Sequence, residues 1–190
     1  MSQIFNKKFI IIGSPGVGKT SLIKNFVEGS FLSEYKSTIG TNLYTKTLEF
    51  KKDKSQDNEE KEIIVKLVLW DIAGQVQWDI MRPAYYQGSH GVCVVGDLSS
   101  KRTFQKIEKF WINDARENCN ATIPVILLAN KNDLKAEISE EEVKDLGNRC
   151  QVDRVIFTSA KTSYHVEEAF IALIKMSLKN DHLIFLRYNE

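Results

Sequence analysis

The chain has 190 residues, 43% of them hydrophobic and 27% charged, with a net charge of +1. That length suits one domain, which buries about 70% of its unfolded surface without disulfide or metal staples. The near balance of charge excludes bulk electrostatic attraction to nucleic acid or to an anionic membrane, so no nucleic-acid partner is expected. The three cysteines, Cys93, Cys119 and Cys150, are odd in number and lack metal-type spacing, which points to a reducing compartment. The histidines His90, His165 and His182 adjoin no cysteine cluster, which argues against zinc. No apolar run approaches the roughly 18 residues of a spanning helix. The N-terminus carries neither a signal-peptide core nor a myristoylation glycine, and a soluble, cytoplasmic chain is expected.

In chain order, Phe9-Ile10-Ile11-Ile12 reads as a buried strand that breaks into Gly13-Ser14-Pro15-Gly16-Val17-Gly18-Lys19-Thr20. Ser21 to Val27 follows with helical apolar spacing. Gly13, Gly18, Lys19 and Thr20 fit G-x-x-x-x-G-K-[ST], in which glycines let backbone N–H groups ring a phosphate. The lysine would sit against the outer phosphates and the threonine hydroxyl would ligate Mg²⁺, while the helix points its positive end at the same anion. Gly29 to Gly40 is a polar loop carrying Phe31, Tyr35 and Thr38. Leu43 to Phe50 and Ile63 to Trp70 read as a strand hairpin around a charged tip, Lys51 to Glu62, taken as solvated.

Asp71-Ile72-Ala73-Gly74-Gln75 ends the second hairpin strand, and Val76 to Gly91 holds a loop and a short helix. Val92 to Asp97 is another buried run with an acid at its end, followed by a helix over Thr103 to Cys119 whose aromatics are read as core. The strand Pro124 to Ala129 leads into Asn130-Lys131-Asn132-Asp133. Ser139 with Glu140, Glu141 and Glu142 is the cap and acidic first turn of a helix ending near Arg149. Val155 to Thr158 is a short strand with the exit loop Ser159-Ala160-Lys161, and Val166 to Leu178 is a final amphipathic helix. Strands alternating with helices define an α/β fold, a mostly parallel sheet covered on both faces with one antiparallel edge strand from the hairpin. Ligands of such sheets bind outside the carboxyl ends of the strands, and all four polar clusters directly follow strands, so they converge on one rim.

From Phe9 to about Leu178 the chain resembles the Ras superfamily of small GTPases. Trp70-Asp71 with Ala73-Gly74-Gln75, Tyr85-Tyr86 before Gly88, His90-Gly91, Val166-Glu167-Glu168-Ala169-Phe170 and Ser37-Thr38-Ile39-Gly40 look most like the Rab branch. The resemblance implies a P-loop NTPase G domain with a six-stranded sheet over residues 1–178 and a short tail over 179–190. It implies GTP and GDP as ligands, Mg²⁺ held through Thr20, Thr38 and Asp71, and hydrolysis served by Lys19 and by Gln75, which would orient the water. Gly13, Ser14, Gly16, Val17, Gly18, Lys19, Thr20, Ser21, Phe31, Thr38, Gly74, Asn130, Lys131, Asp133, Ser159, Ala160 and Lys161 would bind nucleotide. A carboxylate at Asp133 can accept both N1–H and the 2-amino N–H of guanine, which adenine does not offer.

The resemblance further implies a monomer that meets exchange factors, activating proteins and effectors through Phe31–Thr41 and Gly74–Tyr86. Ile39, Leu43, Trp70, Trp78 and Tyr85 would form an apolar surface for effectors, with the alternative that Trp70 and Tyr85 simply pack the hairpin onto the sheet. The chain departs from the family at Pro15, at Val76 where glutamate is usual, in the longer hairpin tip, and in an end without cysteine and hence without a lipidation motif. These departures keep open a second reading, a guanine-nucleotide scaffold with little hydrolysis, and leave membrane contact open.

Overall fold

The computed structural model describes residues 2–31, 38–52, 62–74, 81–179 and 186–188. In chain order they form β1 (Gln3–Ile12), α1 (Lys19–Glu28), β2 (Thr41–Lys52), β3 (Glu62–Ile72), α2 (Arg82–Tyr86), β4 (Gly91–Asp97) and α3 (Lys101–Lys106). A π turn (Ile107–Trp111) and α4 (Ile112–Asn118) continue α3, followed by β5 (Val125–Asn130), α5 (Glu140–Arg149), β6 (Arg154–Phe157), α6 (Val166–Lys179) and β7 (Leu186–Tyr188). The sheet runs β6-β5-β4-β1-β3-β2-β7. β1, β3, β4, β5 and β6 are mutually parallel, and β2 runs antiparallel to β3. The six strands expected from the sequence are all present, and the three-residue β7 adds to the outer edge of β2 by antiparallel pairing.

β1 begins at Gln3, well before the Ile10-Ile11-Ile12 run. The letters Asn6-Lys7-Lys8 hide the strand, because both lysines are accommodated by tertiary contacts. Lys7 is buried and its Nζ donates to the Ser177 carbonyl at 3.3 Å, while Lys8 Nζ donates to Gln87 O at 2.7 Å and lies 4.0 Å from the Trp70 ring centre. Alternation then splits β1 between two cores. Phe9 and Ile11 face α1 and α6, where Phe26 stacks on Phe170 at 4.3 Å, and Ile10 and Ile12 face Phe104, Trp111 and Leu146. Both helical layers thus clamp the strand that carries the glycine loop.

The helix expected over Thr103 to Cys119 is found as Lys101–Asn118 with the π turn inside it. α5 begins with the expected cap: Glu142 N donates to Ser139 Oγ at 3.1 Å and Ser139 N to Glu142 Oε2 at 3.0 Å. Cys93, Cys119 and Cys150 are free thiols, and Cys93 is buried in the sheet as expected. Of the hairpin tip expected over Lys51 to Glu62, residues 53–61 lie outside the described residues, as do Gln75, Val76 and Trp78, whereas Lys51 and Lys52 extend β2 and Glu62 begins β3.

Candidate functional site

The register aligns the carboxyl ends of the parallel strands. Ile11 pairs with Asp71, and Asp97 with Asn130, so the glycine loop, Asp71 and the Asn130 turn leave the sheet on one side. The loop needs glycine where it turns back against other elements. Gly18 has φ 97°, and a Cβ there would run into the Asn130 amide; Gly74 lies so close that its Cβ would sit 2.7 Å from Pro15 N and from Ser14 C. Val17 is fully buried in the core and offers only backbone, its carbonyl accepting from Asn130 Nδ2 at 2.9 Å. Gly16 is exposed with φ 76°, and Ser14 is buried with an Oγ that has no partner. The first turn of α1, with Lys19, Thr20 and Ser21, begins at Gly18 without a side-chain cap, which leaves helix-end amides for an anion.

Lys19 Nζ folds back over this loop and donates to Gly13 O at 2.8 Å and Ser14 O at 3.0 Å. Burial lowers its pKa to about 8 against the attraction of Asp71. Beside it, Thr20 Oγ1 donates to Asp71 Oδ2 at 2.5 Å, and Thr38 Oγ1 lies 2.9 Å from Thr20 Oγ1. Thr20 has given its only hydroxyl hydrogen to Asp71, so Thr38 is the donor in that second bond. Asp71 is fully buried, its Oδ1 has no partner, and burial raises its pKa although Thr20 and Lys19 oppose the shift. An orphaned carboxylate oxygen beside two hydroxyls is a hard-oxygen donor set that fits Mg²⁺, which takes one or two protein carboxylates and completes its shell with water and phosphate. Among the described residues no group of three His, Cys, Asp or Glu could hold a metal by itself, so such an ion would depend on phosphate oxygens.

The second half of the site lies across Asn130. Asn130 is buried; its Nδ2 is committed to the glycine loop and its Oδ1 accepts from Thr158 Oγ1 at 3.3 Å and from Ala160 N at 3.2 Å. The Ala160 N–H is therefore already engaged by a long bond, which a bound base would have to share. Lys131 adopts φ 65°, an uncommon turn for a non-glycine residue, and its Nζ pairs with Asp97 Oδ2 at 2.6 Å. Asp133 Oδ1 accepts from Ser159 Oγ at 2.6 Å, with Lys161 Nζ 4.0 Å from Oδ2. Phe31 stands exposed just past α1. Of the residues expected at the site, all but Gln75 are described. Asp97 and Thr158 were missed as site residues; the acid at the end of a buried strand was the one signal for Asp97.

Trp70 and Tyr85 are half-buried, packed on the second core with ring centres 5.8 Å apart, which supports the packing reading of those two residues. Ile39 and Leu43 are 78% and 58% exposed.

Residues 8–179 match the model of the Ras family. The chain belongs to the Ras family of small GTPases. Its relatives are Rab proteins: Ras-related protein Rab-13 of Rattus norvegicus is 37% identical over 170 residues, spanning 88% of this chain and 78% of the relative. Ras-related protein RABD2b of Arabidopsis thaliana is 33% identical over 87% of this chain and 77% of its own length. Ras-related protein Rab-11A of Dictyostelium discoideum is 36% identical over 86% and 72%. The family implies guanine nucleotide and Mg²⁺ as ligands, and exchange factors, activating proteins and effectors as partners. No helix among the described residues is long and apolar enough to cross a membrane.

Proposed function

We propose that the chain is a Rab-like switch that binds GTP with Mg²⁺, hydrolyses it slowly to GDP and phosphate, and acts in membrane traffic or signalling through partner proteins. The observation that carries this reading is the Asn130 side chain, which bonds both to the glycine loop and to the Ala160 loop, so that the segment that would cradle phosphate and the carboxylate that would read the base belong to one continuous network. Asp133 would accept two guanine N–H groups, held in place by Ser159 and Lys161. Lys19 would exchange its two loop carbonyls for phosphate oxygens, and the stem of Lys131, pinned by Asp97, would cover the base. Mg²⁺, held through Thr20, Thr38 and Asp71, would supply charge neutralisation on the phosphates. In the reaction a water oxygen bonds to the γ-phosphorus as its bond to the β–γ bridging oxygen breaks, and Gln75 would orient that water.

No arginine is found between Phe31 and Thr41, so unaided turnover would be slow. In Ras, the relative for which the scale is known, an arginine supplied by a partner accelerates hydrolysis about 10⁵-fold. Loss of the γ-phosphate would release the segments around Thr38 and Gly74, and the exposed Ile39 and Leu43 beside them support a partner surface over Phe31–Thr41 and Gly74–Tyr86. A cytoplasmic location with peripheral membrane contact goes with this role.

One observation favours the second reading, a scaffold with little hydrolysis. Pro15 offers no N–H and abuts Gly74, where a partner's arginine would enter. Single-turnover release of phosphate from GTP separates the two. A switch slows by roughly tenfold or more on Gln75→Leu, whereas an unchanged rate favours the scaffold.

A further inference from the structure

Two side-chain amides bind the phosphate half of the site to the base half. Asn130 is one, and it stands in a motif. The other is Asn25, which no motif marks. It lies on α1, six residues past Lys19 and so roughly 9 Å along the helix. It is 8% exposed, on the face that also buries Leu22, Ile23 and Phe26. A buried amide in apolar surroundings is tolerated when its donors are used. Asn25 Nδ2 uses both, donating to Ala160 O at 3.1 Å and to Ser163 Oγ at 2.8 Å, across a sequence separation of 135 residues in the first case.

The loop that receives these bonds is closed in several further ways. Ser159 N donates to Tyr164 O at 3.0 Å, Thr162 N to Ser159 Oγ at 3.2 Å, and Ser163 sits at φ 63°. The left-handed conformation is unfavourable for serine, and the bond from Asn25 to its hydroxyl opposes relaxation. Ala160 is gripped on both sides: its N–H points at Asn130 and its carbonyl takes the Asn25 bond. Ser159 in turn holds Asp133.

We infer that Asn25 is a positioning residue for the guanine base. By fixing Ala160 and Ser163 to the helix that starts at the phosphate loop, it sets the span between phosphate cradle and base loop, and so prolongs the residence of bound nucleotide without touching it. The inference rests on the guanine reading given above, and it predicts a selective effect. Loss of two neutral hydrogen bonds, each worth about 1 kcal/mol or a factor of about five, should speed release of a guanine nucleotide by roughly 10–30-fold. Binding of the phosphates alone should be spared, because Lys19, Thr20 and the loop amides make no bond to Ala160 and meet it only through Asn130, whose own bond to Val17 O remains.

The test uses the full chain and fluorescently labelled GDP, whose release is timed after adding excess unlabelled GDP in Mg²⁺. Affinity for magnesium pyrophosphate, which has the phosphates without the base, is measured by calorimetry on nucleotide-stripped protein. Asn25→Leu is expected to speed GDP release by roughly 10–30-fold and to leave pyrophosphate affinity within about twofold. Ser163→Ala, a change at an exposed residue, is expected to speed release by about fivefold, and to add nothing in the Asn25→Leu background. Equal losses for GDP and pyrophosphate would overturn the inference, as would additive effects of the two substitutions. Should Asn25→Leu fail to fold, unchanged release from Ser163→Ala would overturn it alone. Wild-type protein that does not retain GDP overturns the guanine reading and this inference with it; wild-type protein that retains GDP while both variants release it at the same rate overturns the inference only.

Discussion

Burial holds the Lys19 ammonium down to about 8, with the Asp71 carboxylate pulling the other way. The sign of the consequence follows from proton counts. Between about pH 8 and the ordinary lysine value of 10.5 the unfolded chain binds a proton that the folded chain lacks, so stability gains from Lys19 as pH rises through that window and the penalty is fully present below it. A phosphate anion in the loop reverses the balance by restoring favourable surroundings for the charge. Binding of GDP with Mg²⁺ at about pH 8.5 should therefore take up most of a proton, and at about pH 6.5 almost none. Calorimetry in buffers of different ionisation enthalpy measures the uptake; equal values at both pH settings would contradict a buried Lys19 ammonium that regains its charge against the phosphates. Lys19, Thr20, Asp71, Asn130 and Asp133 were legible as candidates in the sequence because the chemistry proposed for them requires those residue types at those spacings. Asn25, Asp97 and Thr158 were not, since each acts through a tertiary contact to a distant segment and has no fixed neighbour in the chain.

Among the elements, α2 is short and lies at the end of a segment expected to move, yet it is firmly attached. Arg82 is buried and its Nε donates to Asp114 Oδ2 at 3.0 Å, while Tyr86 OH donates to the same oxygen at 2.7 Å. The guanidinium also lies 4.8 Å from the Phe110 ring centre and 5.1 Å from that of Trp111. Both rings are presented by the π turn, which shifts the helix register between α3 and α4. The helical periodicity of Thr103 to Cys119 announced a helix and an apolar face, but a one-residue shift in register leaves no mark on so short a pattern. Asp114→Ala would take from the buried Arg82 the carboxylate it shares with Tyr86 and leave the Tyr86 hydroxyl unsatisfied, and should lower unfolding free energy by about 3 kcal/mol. Arg82→Met, which replaces the charge by an apolar side chain of similar length, should cost less, about 1–2 kcal/mol. Urea denaturation of the two variants measures both, and the reverse order would show that the ion pair does not anchor α2.

For the molecule as a whole, alternation of strands and helices was enough to fix the parallel sheet, its two covered faces and the rim that holds the site. It was not enough for β7. Leu186-Arg187-Tyr188 is too short for a periodic signal and lies beyond the domain end drawn at 178, yet it pairs with Phe50–Lys52 of β2. Tyr188 packs its ring 5.3 Å from that of Phe50 and donates its hydroxyl to Glu167 Oε1 at 2.9 Å. Because β2 is antiparallel to β3, this contact lies at the end of the sheet opposite the site. Tyr188→Ala should remove about 1–2 kcal/mol of packing and hydrogen bonding, a fall in melting temperature of roughly 3–7 °C, with guanine-nucleotide affinity unchanged. A matching loss of affinity would mean that the two ends of the sheet are coupled.

The network from Lys19 through Asn130 to Asp133 makes one demand above all, that the base be guanine. Displacement of labelled GDP from the purified chain in Mg²⁺ by unlabelled GTP and by ATP measures it. GTP should compete at least about 10⁴-fold better than ATP, because adenine offers neither the N1–H nor the 2-amino N–H that the Asp133 carboxylate would accept. Equal competition by ATP would contradict the assignment of Asp133 and the switch built on it.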